Sequence, residues 1–108
     1  QLNADVLEGH MSCVLFHIGN ISYRLGKEVP FDATKTPFGK NEAGNETFDR
    51  MCTHLKENGV DLAKTKYQMG PVLTFDPDKE QFKGDRAAEA NKLVTREYRK
   101  PFVVPEIS

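Results

Sequence analysis

The sequence has no apolar run near 18 residues, the length a membrane-spanning helix needs, so no membrane span is expected. It has no basic run either, and 15 Lys and Arg against 16 Asp and Glu leave a net charge of −1. That balance gives no long-range field to draw in nucleic acid or an anionic lipid surface, and neither is expected as a partner. No signal peptide is visible. The glycines are scattered, without a strand–GxGxxG–helix unit to cradle a dinucleotide. No Ser/His/Asp or Cys/His set shows a partner arrangement, so the residues offer no complete catalytic apparatus. Only two cysteines occur, Cys13 and Cys52, both in helical patterns. They read as buried small hydrophobes; a disulfide would require their two helices to pack directly.

What is present begins with one long helix. Leu7, Met11, Val14, Ile18, Ile21 and Leu25 recur at steps of four and three, a continuous apolar stripe. Asn3 or Asp5 is placed to cap its start, and Gly26 to close its end in a left-handed conformation. The opposite side carries Gly9, Ser12 and Gly19 with the rings of Phe16 and Tyr23, so the helix is expected to be buried on more than one side. With 38% hydrophobic and 29% charged residues in 108, the chain is read as one soluble domain (1–108) with a modest core. It begins at Gln1 rather than Met, which reads as a piece of something longer.

Beyond the helix, Glu28 to Phe31 reads as a short extended segment that Pro30 confines to an edge or a turn. Asn41 or Asn45 caps a second helix bearing Phe48, Met51, Cys52 and Leu55 on one face, and Asn58-Gly59 stops it. Val60 to Lys66 is a connector. Gly70-Pro71 splits Tyr67 to Phe75 into two extended pieces, and Asp76 to Lys79 is a turn. Asp85 caps a third, shorter helix with Ala87, Ala88, Ala90, Leu93 and Val94. Pro101 to Pro105 is an extended arm whose ordering requires a surface to lie on.

Residues 29–41 match 73–85 without a gap, sharing Phe31/Phe75, Asp32/Asp76, Lys35/Lys79 and Phe38/Phe82, with Asn41/Asp85 as caps. Each copy reads as strand, Asx-type turn, aromatic plug and helix cap. The expected fold is therefore α+β and helix-dominated: a long N-terminal helix, two strand–turn–helix units with short strands packed beside it, and the arm.

His10, Cys13 and His17 fall within about 60° of one another on a helix, but span about 10 Å along its axis, too far for one ion to reach all three. No metal is expected. Asp76, Asp78, Glu80 and Asp85 lack the glycine and the final glutamate of a calcium loop, and the Asp76 carboxylate reads as a cap on its own turn. The glycosylation patterns at Asn20 and Asn45 fall in helix patterns and read as chance matches. Arg96, Arg99 and Lys100 beside Tyr98 read as a solvated helix end.

Two stretches carry a resemblance. One is Asn3-Ala4-Asp5-Val6-Leu7-Glu8-Gly9-His10-Met11-Ser12, continued by His17 to Gly26. The other is Leu73 to Asp85, with Ala90-Asn91-Lys92-Leu93 and Arg96-Glu97-Tyr98-Arg99-Lys100-Pro101-Phe102. Together, over about half of the chain, they resemble the C-terminal end of the glucose–fructose oxidoreductase / inositol dehydrogenase (Gfo/Idh/MocA) family, in its bacterial branch with an extended C-terminus. Residues 32–72 then read as an insertion, arising partly by duplication.

The resemblance implies a parent enzyme with an N-terminal Rossmann domain binding NAD(P) and an α/β domain whose open sheet supports the substrate site and oligomer contacts. Members oxidise or reduce sugars, cyclitols and related polyols by hydride transfer, and some cleave or epimerise glycosides. The family's catalytic lysine and Asp-and-His pair lie upstream of these residues, so no catalytic residue carries over and this chain itself binds no cofactor. His10 is the one polar residue of the matched motif placed towards the substrate side. The implied partners are the Rossmann and sheet domains of the same chain, and further copies in a homo-oligomer. The compartment, bacterial cytoplasm or periplasm, stays open. The alternative is a self-standing interaction module that reuses this C-terminus without its enzyme.

Overall fold

A computed structural model describes residues 3–32 and 34–105. The fold is α+β and helix-dominated, with three helices and two two-stranded antiparallel sheets among the described residues. The chain divides into two compact units, 1–25 with 70–108, and 26–69. Each has a core of its own.

In the first unit, helix α1 (Val6–Arg24) starts where Asp5 accepts a hydrogen bond from the Glu8 N–H at 3.0 Å. It ends on Leu25 in a right-handed conformation, and Gly26 does not take the left-handed cap expected of it. Strands β3 (Thr74–Asp76) and β4 (Gln81–Lys83) form a hairpin in which Phe75 faces Phe82. The second strand was not anticipated. The one-turn helix α3 (Ala87–Asn91) follows. Ile21, Phe82 and Ala90 are buried together, with Ile18, Leu25, Leu73, Phe75, Ala87 and Leu93 packed around them.

Two side chains hold the hairpin. Asp76 Oδ1 accepts from the N–H groups of Asp78 and Lys79 at 3.1 and 3.2 Å, the Asx-type turn its position predicts. Asn91 accepts from Phe82 N–H at 2.8 Å and donates to Phe82 C=O at 3.0 Å. Just before the hairpin, Ser22 donates to the Pro71 carbonyl at 2.8 Å, and Gly70 lies directly on α1.

The long helix is covered on one side only, contrary to expectation. Leu15, Phe16 and Tyr23 are exposed, and a Cβ at Gly9 or Gly19 would meet nothing within 4 Å. Cys13 is exposed as well, so it is not a core residue; it and Cys52 are free thiols. The cap expected from Asp85 is not made: α3 begins after Arg86 with no side-chain cap, its first N–H bonded to the Gly84 carbonyl. The helix stops at Asn91, so Arg96, Arg99 and Lys100 stand beyond it in irregular chain rather than at a helix end. The arm is largely exposed at Phe102, Val103 and Val104, and the Arg99 guanidinium lies over the Phe102 ring, 5.8 Å from its centre.

The second unit pairs β1 (Lys27–Pro30) with β2 (Lys66–Met69), Val29 opposite Tyr67. Between them runs α2 (Glu42–Glu57), capped by Asn41 onto the Gly44 N–H at 2.9 Å. It is closed as the Asn58-Gly59 pair predicts. Gly59 is left-handed, and the N–H groups of Gly59 and Val60 return to the carbonyls of Lys56 and Leu55, a Schellman closure. Phe48 is the buried residue of α2, and its ring meets Phe31 and Tyr67 at 6.0 and 5.2 Å, with Phe31 and Tyr67 4.9 Å apart. Phe31 is thus a plug. Phe38 is not: it is 44% exposed, resting on Gly44, with its N–H and the Gly39 carbonyl clamped by Asn45. Asp32 is exposed, and beside it Thr34 Oγ1 accepts a hydrogen bond from the Thr36 N–H; neighbouring Ala33 lies outside the described residues.

The matching stretches 29–41 and 73–85 therefore fold differently. Pro37 and Gly39 stand where the second copy has Gln81 and Lys83. Proline has no N–H for a ladder, and Gly39 is left-handed, so no β4 equivalent forms and β1 pairs with β2 instead.

Two predictions follow from this packing. A Cβ on Gly70 would overlap Ser22 Oγ and stand 2.8 Å from the Ser22 carbonyl oxygen, which belongs to a helix and cannot move aside. Gly70→Ala should lower stability by about 1–3 kcal/mol, seen as a lower urea midpoint. Burial, and secondarily Cys52, raise the Tyr67 phenol above its ordinary value of 10.0. A raised folded value favours the neutral phenol. The stabilisation is complete below about pH 10 and is lost as pH rises through the folded value. Unfolding of the second unit followed against pH should show that alkaline loss, and Cys52→Ser should move the Tyr67 midpoint down.

Candidate functional site

Along α1, His10, Val14, His17 and Ile21 are four, three and four residues apart and so share one face. In the first unit that face forms one wall of an open groove of about 380 Å³. The other side is built by the hairpin and the chain after α3: Phe75, Phe82, Leu93, Val94 and Thr95. Phe75 and Phe82, expected as plugs, meet edge to face at 5.1 Å and supply its aromatic floor. The groove is mainly apolar, with polar groups gathered at its rim.

The closest polar contact at that rim is His10 Nε2 to Glu80 Oε1, 2.8 Å across 70 residues of sequence. A carboxylate only accepts, so with Glu80 ionised Nε2 carries the proton it shares. In the neutral ring Nδ1 is then the nitrogen free to accept, and the carboxylate fixes both tautomer and ring orientation. Both side chains are about half exposed, which keeps the energetic worth of the contact small.

Glu80 reaches His10 from an unusual backbone. Its φ is +50°, a left-handed position closing the four-residue turn between Asp76 and Gln81, where glycine or asparagine is the ordinary occupant. The neighbouring Asp76 also makes an ion pair with Lys83 at 3.6 Å. Asp85 lies elsewhere, lining a smaller, polar crevice of about 210 Å³ with Thr74, Lys83 and Arg86. There Arg86 holds Glu89 at 2.7 Å while its Nε is buried without a partner among the described residues.

Of the residues singled out in the sequence, the structure brings His10, Phe75 and Phe82 to one groove, with His17 further along it. Cys13 is not among its lining residues. Among the described residues no group of three His, Cys, Asp or Glu could hold a metal ion. Phe31 and Phe38 belong to the second unit. Sequence reasoning missed the pairing of Glu80 with His10 and the clamping role of Asn91. The turn pattern placed Glu80 beside a hairpin, but nothing local points its carboxylate at a residue 70 positions away. No family model, curated protein or solved structure matches the chain.

The left-handed backbone at residue 80 yields a test. Glycine there removes a strain of roughly 1 kcal/mol, whereas an exposed ion pair is worth about 0–1 kcal/mol. Glu80→Gly should therefore leave stability equal or higher, and Glu80→Gln, which keeps the strain and weakens the contact, should lower it. A glycine variant as destabilised as the glutamine one would mean that the His10 contact outweighs the backbone term.

Proposed function

We propose that this chain is a non-catalytic structural and association domain of an NAD(P)-dependent oxidoreductase acting on sugars or cyclitols, of the glucose–fructose oxidoreductase / inositol dehydrogenase kind. Two things support this reading. The first is the resemblance carried by the stretches from Asn3 to Gly26 and from Leu73 to Phe102. The second, which carries most weight, is the half-covered stripe of α1. Its C-terminal part, Ile18, Ile21 and Leu25, is packed into the first unit. Its N-terminal part continues the same stripe largely exposed: Leu7 is 66% and Met11 42% exposed, with Leu15 beside them at 75%, while Val14 between them lines the groove. An apolar helix face of this length calls for a partner surface.

In this reading the partner is the family's sheet, and the Rossmann domain that holds NAD(P) belongs to the same polypeptide. The His10–Glu80 groove then lies on the substrate side. Its role there is to position, since neither a nucleophile nor a metal-holding cluster stands with it among the described residues.

The natural polypeptide should be large enough to add a nucleotide domain of about 150 residues and a sheet domain, by immunoblot of source-cell extract. That chain should support NAD(P)-linked oxidation of a sugar or cyclitol. The 108-residue chain alone should bind an apolar dye and self-associate. Leu7→Glu with Leu15→Glu should weaken both without loss of helix, because both side chains are already exposed. A band near 12.2 kDa together with a monomeric, dye-indifferent chain would favour the self-standing interaction module.

A further inference from the structure

The first unit combines an unfilled apolar groove with an uncovered apolar segment a few residues away. The groove wall ends at Thr95. Only residues 96–101 separate it from Phe102-Val103-Val104, which are 71%, 52% and 61% exposed. Pro101 and Pro105 frame these three, favouring an extended segment over a helix. Two backbone bonds, Phe102 N–H to Arg99 C=O at 2.8 Å and Val103 N–H to Pro101 C=O at 3.0 Å, already turn the chain at the base of the arm.

We propose that this arm is a strap for its own groove: Phe102 and Val104 enter between α1 and the β3–β4 hairpin, and the structure described here is the open form. Three observations favour this occupant. The groove floor is the Phe75–Phe82 ring pair, a surface suited to a third aromatic ring. Arg99 and Lys100 precede Pro101-Phe102, Arg99 with its guanidinium over the Phe102 ring at 5.8 Å, and the half-exposed Glu80 carboxylate stands at the rim they would cross. A tether of six residues keeps the arm at high effective concentration near its own groove and favours it over a second copy. The closed strap covers His10 and Glu80, so any molecule using that groove competes with the arm. The inference needs only the groove and the arm, and stands whether or not the chain belongs to an oxidoreductase.

The chain contains no tryptophan, so Phe102→Trp places a single reporter on the arm. Its emission should be blue-shifted and shielded from acrylamide, relative to N-acetyltryptophanamide, and unchanged on dilution. Adding Val14→Glu in the groove wall, or Val104→Asp on the exposed arm, should return it to the emission of free indole. The Val104 variant leaves the body untouched, and circular dichroism checks that the Val14 variant keeps its helix. In the single Phe102→Trp chain, emission like that of N-acetyltryptophanamide at all concentrations would overturn the strap. A blue shift that disappears on dilution would overturn it in favour of exchange between copies. A shift that survives Val14→Glu would place the arm elsewhere. Leu7→Glu with Leu15→Glu should leave the emission unchanged, which separates this result from the association of α1.

Discussion

The contact of Ile21 with Phe82 and Ala90 is what the first unit depends on. One residue comes from the long helix, one from the hairpin and one from the short helix, and these three are the unit's buried apolar residues among those described. A core this small gives little apolar area to offset the entropy of ordering the chain, so local polar devices matter more than usual. Asn91 illustrates the point. Its one amide satisfies both backbone groups of Phe82, which fixes the ring that the rest of the core packs against. The close approach of Gly70 to α1, with Ser22 bonded to Pro71, anchors the chain that leads into the hairpin.

The second unit uses related sequence to a different end. Its Phe31, Phe48 and Tyr67 rings form an aromatic core around one amphipathic helix, and an asparagine amide again holds the backbone of a repeated phenylalanine, here Asn45 at Phe38. A proline and a left-handed glycine were enough to turn one copy of the motif away from a hairpin. Similar residues therefore did not mean similar pairing, because a left-handed residue breaks the extended backbone a strand needs and a proline removes one of its donors.

The groove arises from the same geometry. The hairpin buries Phe82 against Ile21, and that contact brings the turn residue Glu80 up to His10, about one turn from the start of α1. The left-handed backbone at Glu80 is the local strain that this arrangement carries, and strain of this kind collects where a side chain must be aimed. The apolar floor and polar rim that result suit recognition by one end of a molecule, or by the arm that lies uncovered nearby.

Much of the architecture was legible in sequence because it is local. The stripe from Leu7 to Leu25, the cap at Asp5, the Asn41 and Asn58-Gly59 boundaries of α2, and the Asp76 turn each follow from residues within a turn or two of one another. Where local signals misled, a competing local interaction won: the Gly84 carbonyl replaced Asp85 at the start of α3, and Leu25 closed α1 before Gly26 was needed. What the residues determined by themselves was the three helices, the ends of α2, the Asp76 turn, and a helix stripe longer than one small core can cover. Which part of that stripe is covered, which strands pair, and that Glu80 meets His10 were decided only in three dimensions. Those contacts join residues tens of positions apart, and no short-range pattern encodes which distant surface will be there to meet them.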